Sequence, residues 1–88
     1  MYQLTLTKGE RDAFDWVGNR YAAREIARLL LGCMEEGVEW DNEGEIVFSV
    51  PEHVAWEINR LAEEEDYLWP CFAPELSSKL NAFCQAIV

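Results

Sequence analysis

Twelve carboxylates crowd residues 35–66: Glu35, Glu36, Glu39, Asp41, Glu43, Glu45, Glu52, Glu57, Glu63, Glu64, Glu65 and Asp66. Against them stand Arg60 and His53 alone. The stretch carries −11 of a total formal charge of −10, so the rest of the chain is nearly neutral. Ionised side chains at this density stay in water. The segment must therefore be built from elements with one acidic and one apolar side. A sector this negative favours encounter with a basic partner and repels nucleic acid.

The chain is 88 residues long and 50% hydrophobic, with Trp16, Trp40, Trp56 and Trp69 among its aromatics. That length suits one domain over residues 1–88, and the aromatic content is too high for a disordered acidic tail. No apolar run approaches the ~20 residues that span a bilayer. The first seven residues lack the basic and apolar regions of a signal peptide. Cys33, Cys71 and Cys84 are odd in number and irregularly spaced, which points away from a secreted disulfide scaffold. A cytoplasmic protein with reduced thiols is the expectation, in the host cytoplasm if the chain is phage-encoded.

Residues 2–6 alternate as a short strand or an extended lead-in. Thr7-Lys8-Gly9-Glu10 fits a capping box, and the helix it opens, over about 10–20, turns Ala13, Phe14, Val17 and Tyr21 inward. Gly18-Asn19 marks a kink or a break. A second helix over about 22–36 buries Ile26, Leu29, Leu30 and Cys33, with Gly37 as a left-handed cap. Arg20, Arg24 and Arg28 fall on the opposite side. Val38–Asp41 and Glu45–Val50 flank an Asn/Gly turn and predict a β-hairpin, with Trp40, Ile46 and Phe48 inward. Ser49-Val50-Pro51-Glu52 reads as a second capping box. The helix that follows, to about Glu65, buries Val54, Ala55, Ile58, Leu61 and Ala62. Tyr67–Phe72 is an aromatic loop, and Pro74 opens a last helix on Leu76, Leu80, Phe83 and Ile87. The expected fold is α+β: a small, mostly helical domain of about four helices with a short hairpin, and residues 2–6 as a candidate third strand.

Catalytic chemistry has no motif here. His53 and Glu57 are spaced as a base and its orienter, but no nucleophile or phosphate loop accompanies them. His53 and the three cysteines lack metal-ligand spacing, so no cofactor and no metal are expected. The acidic stretch has a bland explanation as a solubilising surface and a functional one as a plug for a groove lined by Lys and Arg. Trp56 projects away from the apolar stripe of its helix. It serves as an interface anchor or packs under the aromatic loop. The partner-binding candidates are Glu39, Asp41, Glu43 and Glu45 in the hairpin, with Glu52, Trp56, Glu57, Glu63, Glu64, Glu65 and Asp66 in and after the helix. An alternative is a structural, assembly or regulatory protein that homodimerises through aromatic surface.

Three segments together resemble a group of small acidic proteins encoded by phages and prophages of Proteobacteria. They run from Leu4-Thr5-Leu6-Thr7 through Phe14-Asp15-Trp16-Val17-Gly18-Asn19-Arg20-Tyr21; over Val50-Pro51-Glu52-His53-Val54-Ala55-Trp56-Glu57-Ile58; and from Pro74-Glu75-Leu76 through Lys79-Leu80-Asn81-Ala82-Phe83-Cys84. Proteins of that size and charge include anti-CRISPR proteins. The resemblance implies an inhibitor that binds a CRISPR effector complex and blocks target DNA by occlusion or DNA mimicry. It transfers no residue roles, so the candidates above rest on charge alone.

Overall fold

The computed structural model describes residues 1–16, 21–64 and 74–87. In chain order these form β1 (Tyr2–Leu6), α1 (Lys8–Trp16), α2 (Tyr21–Leu31), β2 (Ile46–Val50), α3 (Glu52–Glu64) and α4 (Pro74–Ile87). The chain is thus a small, mostly helical α+β domain, as its periodicities predict.

The sheet is made differently from the expected hairpin. β1 and β2 pair antiparallel, from Tyr2 opposite Val50 to Leu6 opposite Ile46. Residues 2–6 are thus the partner strand of β2, while 38–41 form turns and no strand. The reason lies in the hydrogen bonds of the 38–45 segment. The carbonyls of Trp40, Asn42 and Gly44, which a ladder would need, accept instead from the Arg11 side chain. Strand periodicity then sorts the residues of the sheet. Leu4, Leu6, Ile46, Phe48 and Val50 are buried on one face, and the Thr5–Val47 and Gln3–Ser49 pairs occupy the other.

The capping box at Thr7 forms as the sequence predicts. Glu10 Oε1 accepts from the Thr7 amide at 2.7 Å, and Thr7 Oγ1 accepts from the Glu10 amide at 3.2 Å. The helix therefore begins at Lys8, earlier than expected, and Phe14 is its buried anchor. The position of the expected kink, Gly18-Asn19, lies outside the described residues.

α2 buries Ala23, Ile26 and Leu30, but it stops at Leu31, short of the expected 36. Tighter bonds from Cys33 to the Leu30 carbonyl (2.9 Å) and from Met34 to that of Leu31 (3.4 Å) close it off. Gly37 does adopt a positive φ, 88°, but beyond the helix end. It is the third residue of a turn closed by the Val38 amide on the Glu35 carbonyl at 3.2 Å, the place where a type II turn needs glycine.

The second expected capping box does not form. Ser49 stays in the ladder opposite Gln3, and the Pro51 carbonyl accepts the first helical bond, from Ala55 at 2.9 Å. α3 packs against both α2 and α4. It contributes Ala55, Ile58 and Leu61 to the core, and α4 adds Leu76, Leu80, Phe83 and Ile87. Tyr2 meets Phe83 edge-on at 6.4 Å, joining the start of the sheet to the last helix.

Candidate functional site

Four carboxylates alternate along the segment after Val38: Glu39, Asp41, Glu43 and Glu45, every one exposed. The residues between them hold the loop down. Trp40 packs its ring 6.0 Å from those of Phe14 and Phe48. Asn42 closes two turns, its amide on the Glu39 carbonyl at 3.1 Å and its Oδ1 accepting from the Gly44 amide at 2.8 Å.

Beneath the loop lies Arg11, 0% exposed. Its Nε donates to the Trp40 carbonyl at 2.5 Å. Nη1 donates to Leu6 at 2.9 Å and Gly44 at 3.1 Å, and Nη2 donates to the Asn42 carbonyl. A buried charge costs several kcal/mol when left uncompensated, whereas hydrogen bonds from a charged group return about 1.5–3 kcal/mol each. All four of these acceptors are main-chain oxygens. The carbonyls of residues 40, 42 and 44 thus turn inward to one cation, and the acidic side chains of 39, 41, 43 and 45 are left in solvent.

The exposed side of α3 carries a separate set of candidate residues. At about 100° per residue, Glu52, Trp56 and Glu63 fall within about 40° of one another, and each is exposed, Trp56 at 48%. The expected projection of Trp56 away from the apolar stripe is therefore met. Arg60 and Glu57 lie beside this row and pair with each other. The hydrogen bond from Arg60 holds the Glu57 carboxyl below its ordinary range. Glu64 ends α3, and the Glu64 side chain, Glu65, Asp66 and the aromatic loop lie outside what is described.

Elsewhere three cations are engaged with acids outside the 35–66 stretch. Lys8 pairs with Asp12 at 2.7 Å, Arg28 with Glu25 at 3.6 Å and Lys79 with Glu10 at 2.7 Å. Among the described residues, Glu57 is the carboxylate of the stretch that has an ion-pair partner. Glu43 lies close enough to Lys8 to help raise its ammonium pKa, after the larger effect of the Asp12 hydrogen bond. Because these cations are taken up by acids outside the stretch, they leave its carboxylates other than Glu57 without a paired counter-charge among the described residues. Arg24 and Arg28 of the expected arginine stripe are exposed, and Arg20 lies outside the described residues.

Cys33 and Cys84 pack partly buried against the core. Burial pushes both thiols up, and the Glu63 charge adds to the effect at Cys84. Among the described residues no group of three or more His, Cys, Asp or Glu side chains is arranged to hold a metal, and no helix is long and apolar enough to cross a membrane.

Sequence reasoning passed over Arg11 and Lys79, and it saw Glu10 as a helix cap but not as the partner of Lys79. The available cue for Arg11 was its place three residues before Phe14, on the inward stripe of α1. A scan against protein-family models, a search of curated proteins and a search of solved structures return no match.

Proposed function

We propose that this chain is a phage-derived acidic inhibitor that binds protein. It docks Glu39, Asp41, Glu43 and Glu45, with the Glu52–Trp56–Glu63 face of α3, into a basic groove that otherwise holds nucleic acid. Glu57, Glu64, Glu65 and Asp66 add to the same negative field. The resemblance stated above makes a CRISPR effector complex the leading partner, with target DNA blocked by occlusion or mimicry. The observation that carries this reading is the row of exposed carboxylates at 39, 41, 43 and 45, none of which has an ion-pair partner among the described residues. Groove cations that neutralise phosphates in the nucleic-acid complex would meet carboxylates instead. Trp56 supplies an amphipathic anchor of the kind that dominates protein interfaces.

Reversal of Glu43, Glu45 and Glu64 to Lys tests it. The complex recovered from host lysate should weaken, and its salt dependence should flatten. Unchanged affinity and salt slope would end the proposal. The rival reading, a homodimer through aromatic surface, draws on the exposure of Trp56 and is opposed by the −10 charge that each copy carries. Light scattering separates the two: a dimer dispersed by Trp56→Ala supports the rival, and a monomer at all concentrations removes it.

A further inference from the structure

We infer that Arg11 is a positioning residue for the acidic loop. It is an internal cation that orders residues 39–45 and so sets how their carboxylates meet a partner, without touching that partner itself.

The geometry points to this from three directions. First, the loop lacks ladder bonds of its own. It is held by the Trp40 ring packed on Phe14 and Phe48, by two local turns and by the guanidinium, whose acceptors at 40, 42 and 44 are the alternate residues of the segment. Second, the remaining acceptor, the Leu6 carbonyl, is the last residue of β1, so one side chain ties the loop to the sheet as well as to α1. Third, four like charges within seven residues repel one another and favour an open loop. A buried positive charge directly below offsets that repulsion without neutralising the exposed carboxylates. A planar fork with five donors suits this role. A lysine ammonium has three donors on a flexible stem and cannot span the same oxygens. An ordered array of charges binds with a smaller loss of freedom than a floppy one, and the difference falls mainly in the dissociation rate.

Arg11's effect on partner affinity rests on the docking role proposed above. Its effect on loop order stands without it. The test uses wild type and Arg11→Lys, which keeps the net charge. Amide hydrogen exchange by NMR should show the Asn42 and Gly44 amides exchanging about tenfold faster in Arg11→Lys, with α3 and α4 amides changed far less. Uniform acceleration, or none in the loop, overturns the inference. If the variant does not fold, the wild type alone decides. The Arg11 Nε–H should exchange far more slowly than that of the exposed Arg60, and equal rates would refute the clamp.

Binding is then read with an oligo-arginine peptide. Arg11→Lys should keep the association rate, which follows net charge, and raise the dissociation rate several-fold. Equal dissociation rates overturn the positioning role. Failure of the wild type to bind the peptide in a salt-dependent way refutes the docking reading, while the exchange result still judges the clamp.

Discussion

A single oxygen of Glu10 serves two ends of the chain: Oε1 accepts from the Thr7 amide and from Lys79 Nζ, each at 2.7 Å. The same carboxylate thus caps α1 and fastens α4 to it. Glu10 is only 8% exposed. Burial pulls its carboxyl upward, but the hydrogen bonds from Lys79 and Thr7 outweigh it and hold the group below the usual carboxylate range.

That depression fixes the sign of a pH effect. A carboxylate whose folded pKa lies below its unfolded value of about 4.3 contributes stability above that value, and the contribution is lost as pH falls through the folded pKa. Glu10→Gln should cost about 1–2 kcal/mol at pH 7, and the difference from wild type should shrink below about pH 4. Urea unfolding at several pH values measures it. A gap that stays constant with pH would show that the charge of Glu10 is not what the fold uses.

Phe48 and Trp56 are both large aromatics near α3 in sequence, yet their replacement should have opposite consequences. Phe48 is fully buried against Trp40 and opposite Leu4, so Phe48→Ala should cost about 3–5 kcal/mol. A domain of this size has only about 5 kcal/mol in all. Trp56 is half in water, so Trp56→Ala should stay within about 0.5 kcal/mol of wild type while still testing the interface. Chemical denaturation of the two variants gives both values.

Gly37 has nothing within 4 Å of where a Cβ would stand, but its φ of 88° is one that side chains resist. Gly37→Ala should therefore lower stability by about 1 kcal/mol through the backbone alone. The melting temperature reports it, and an unchanged value would mean that the 35–38 turn shifts to another form.

Cys33 and Cys84 should alkylate slowly at pH 7.5, because burial holds both thiols up and the thiolate is the reactive form. Mass-resolved labelling with iodoacetamide, native against urea-unfolded, checks this. Native rates equal to unfolded ones at both positions would contradict the packing of α4 and of the turn that follows α2.

Local patterns carried much of this fold. Leu76, Leu80, Phe83 and Ile87 define α4 by spacing, and Thr7 with Glu10 defines the start of α1. What spacing misassigned was pairing. Glu39, Asp41 and Glu45 alternate with Trp40 and Ile46 as a hairpin would, but alternation does not say who receives the hydrogen bonds. The 40–44 carbonyls go to a side chain 29 to 33 positions away, and β2 goes to β1. Long-range competition of this kind leaves no periodic trace. The exposure of Glu39, Asp41, Glu43, Glu45, Glu52 and Glu63 was legible from charge; the buried guanidinium that arranges the first four was not. A cation on an apolar stripe, as at Arg11 beside Phe14, is the pattern that would have revealed it.

The pairing of β1 with β2 also orders events during synthesis. Leu4 and Leu6 are made before Ile46 and Phe48 and find no backbone partner until those residues have followed. β1 is thus secured only once β2 has been made.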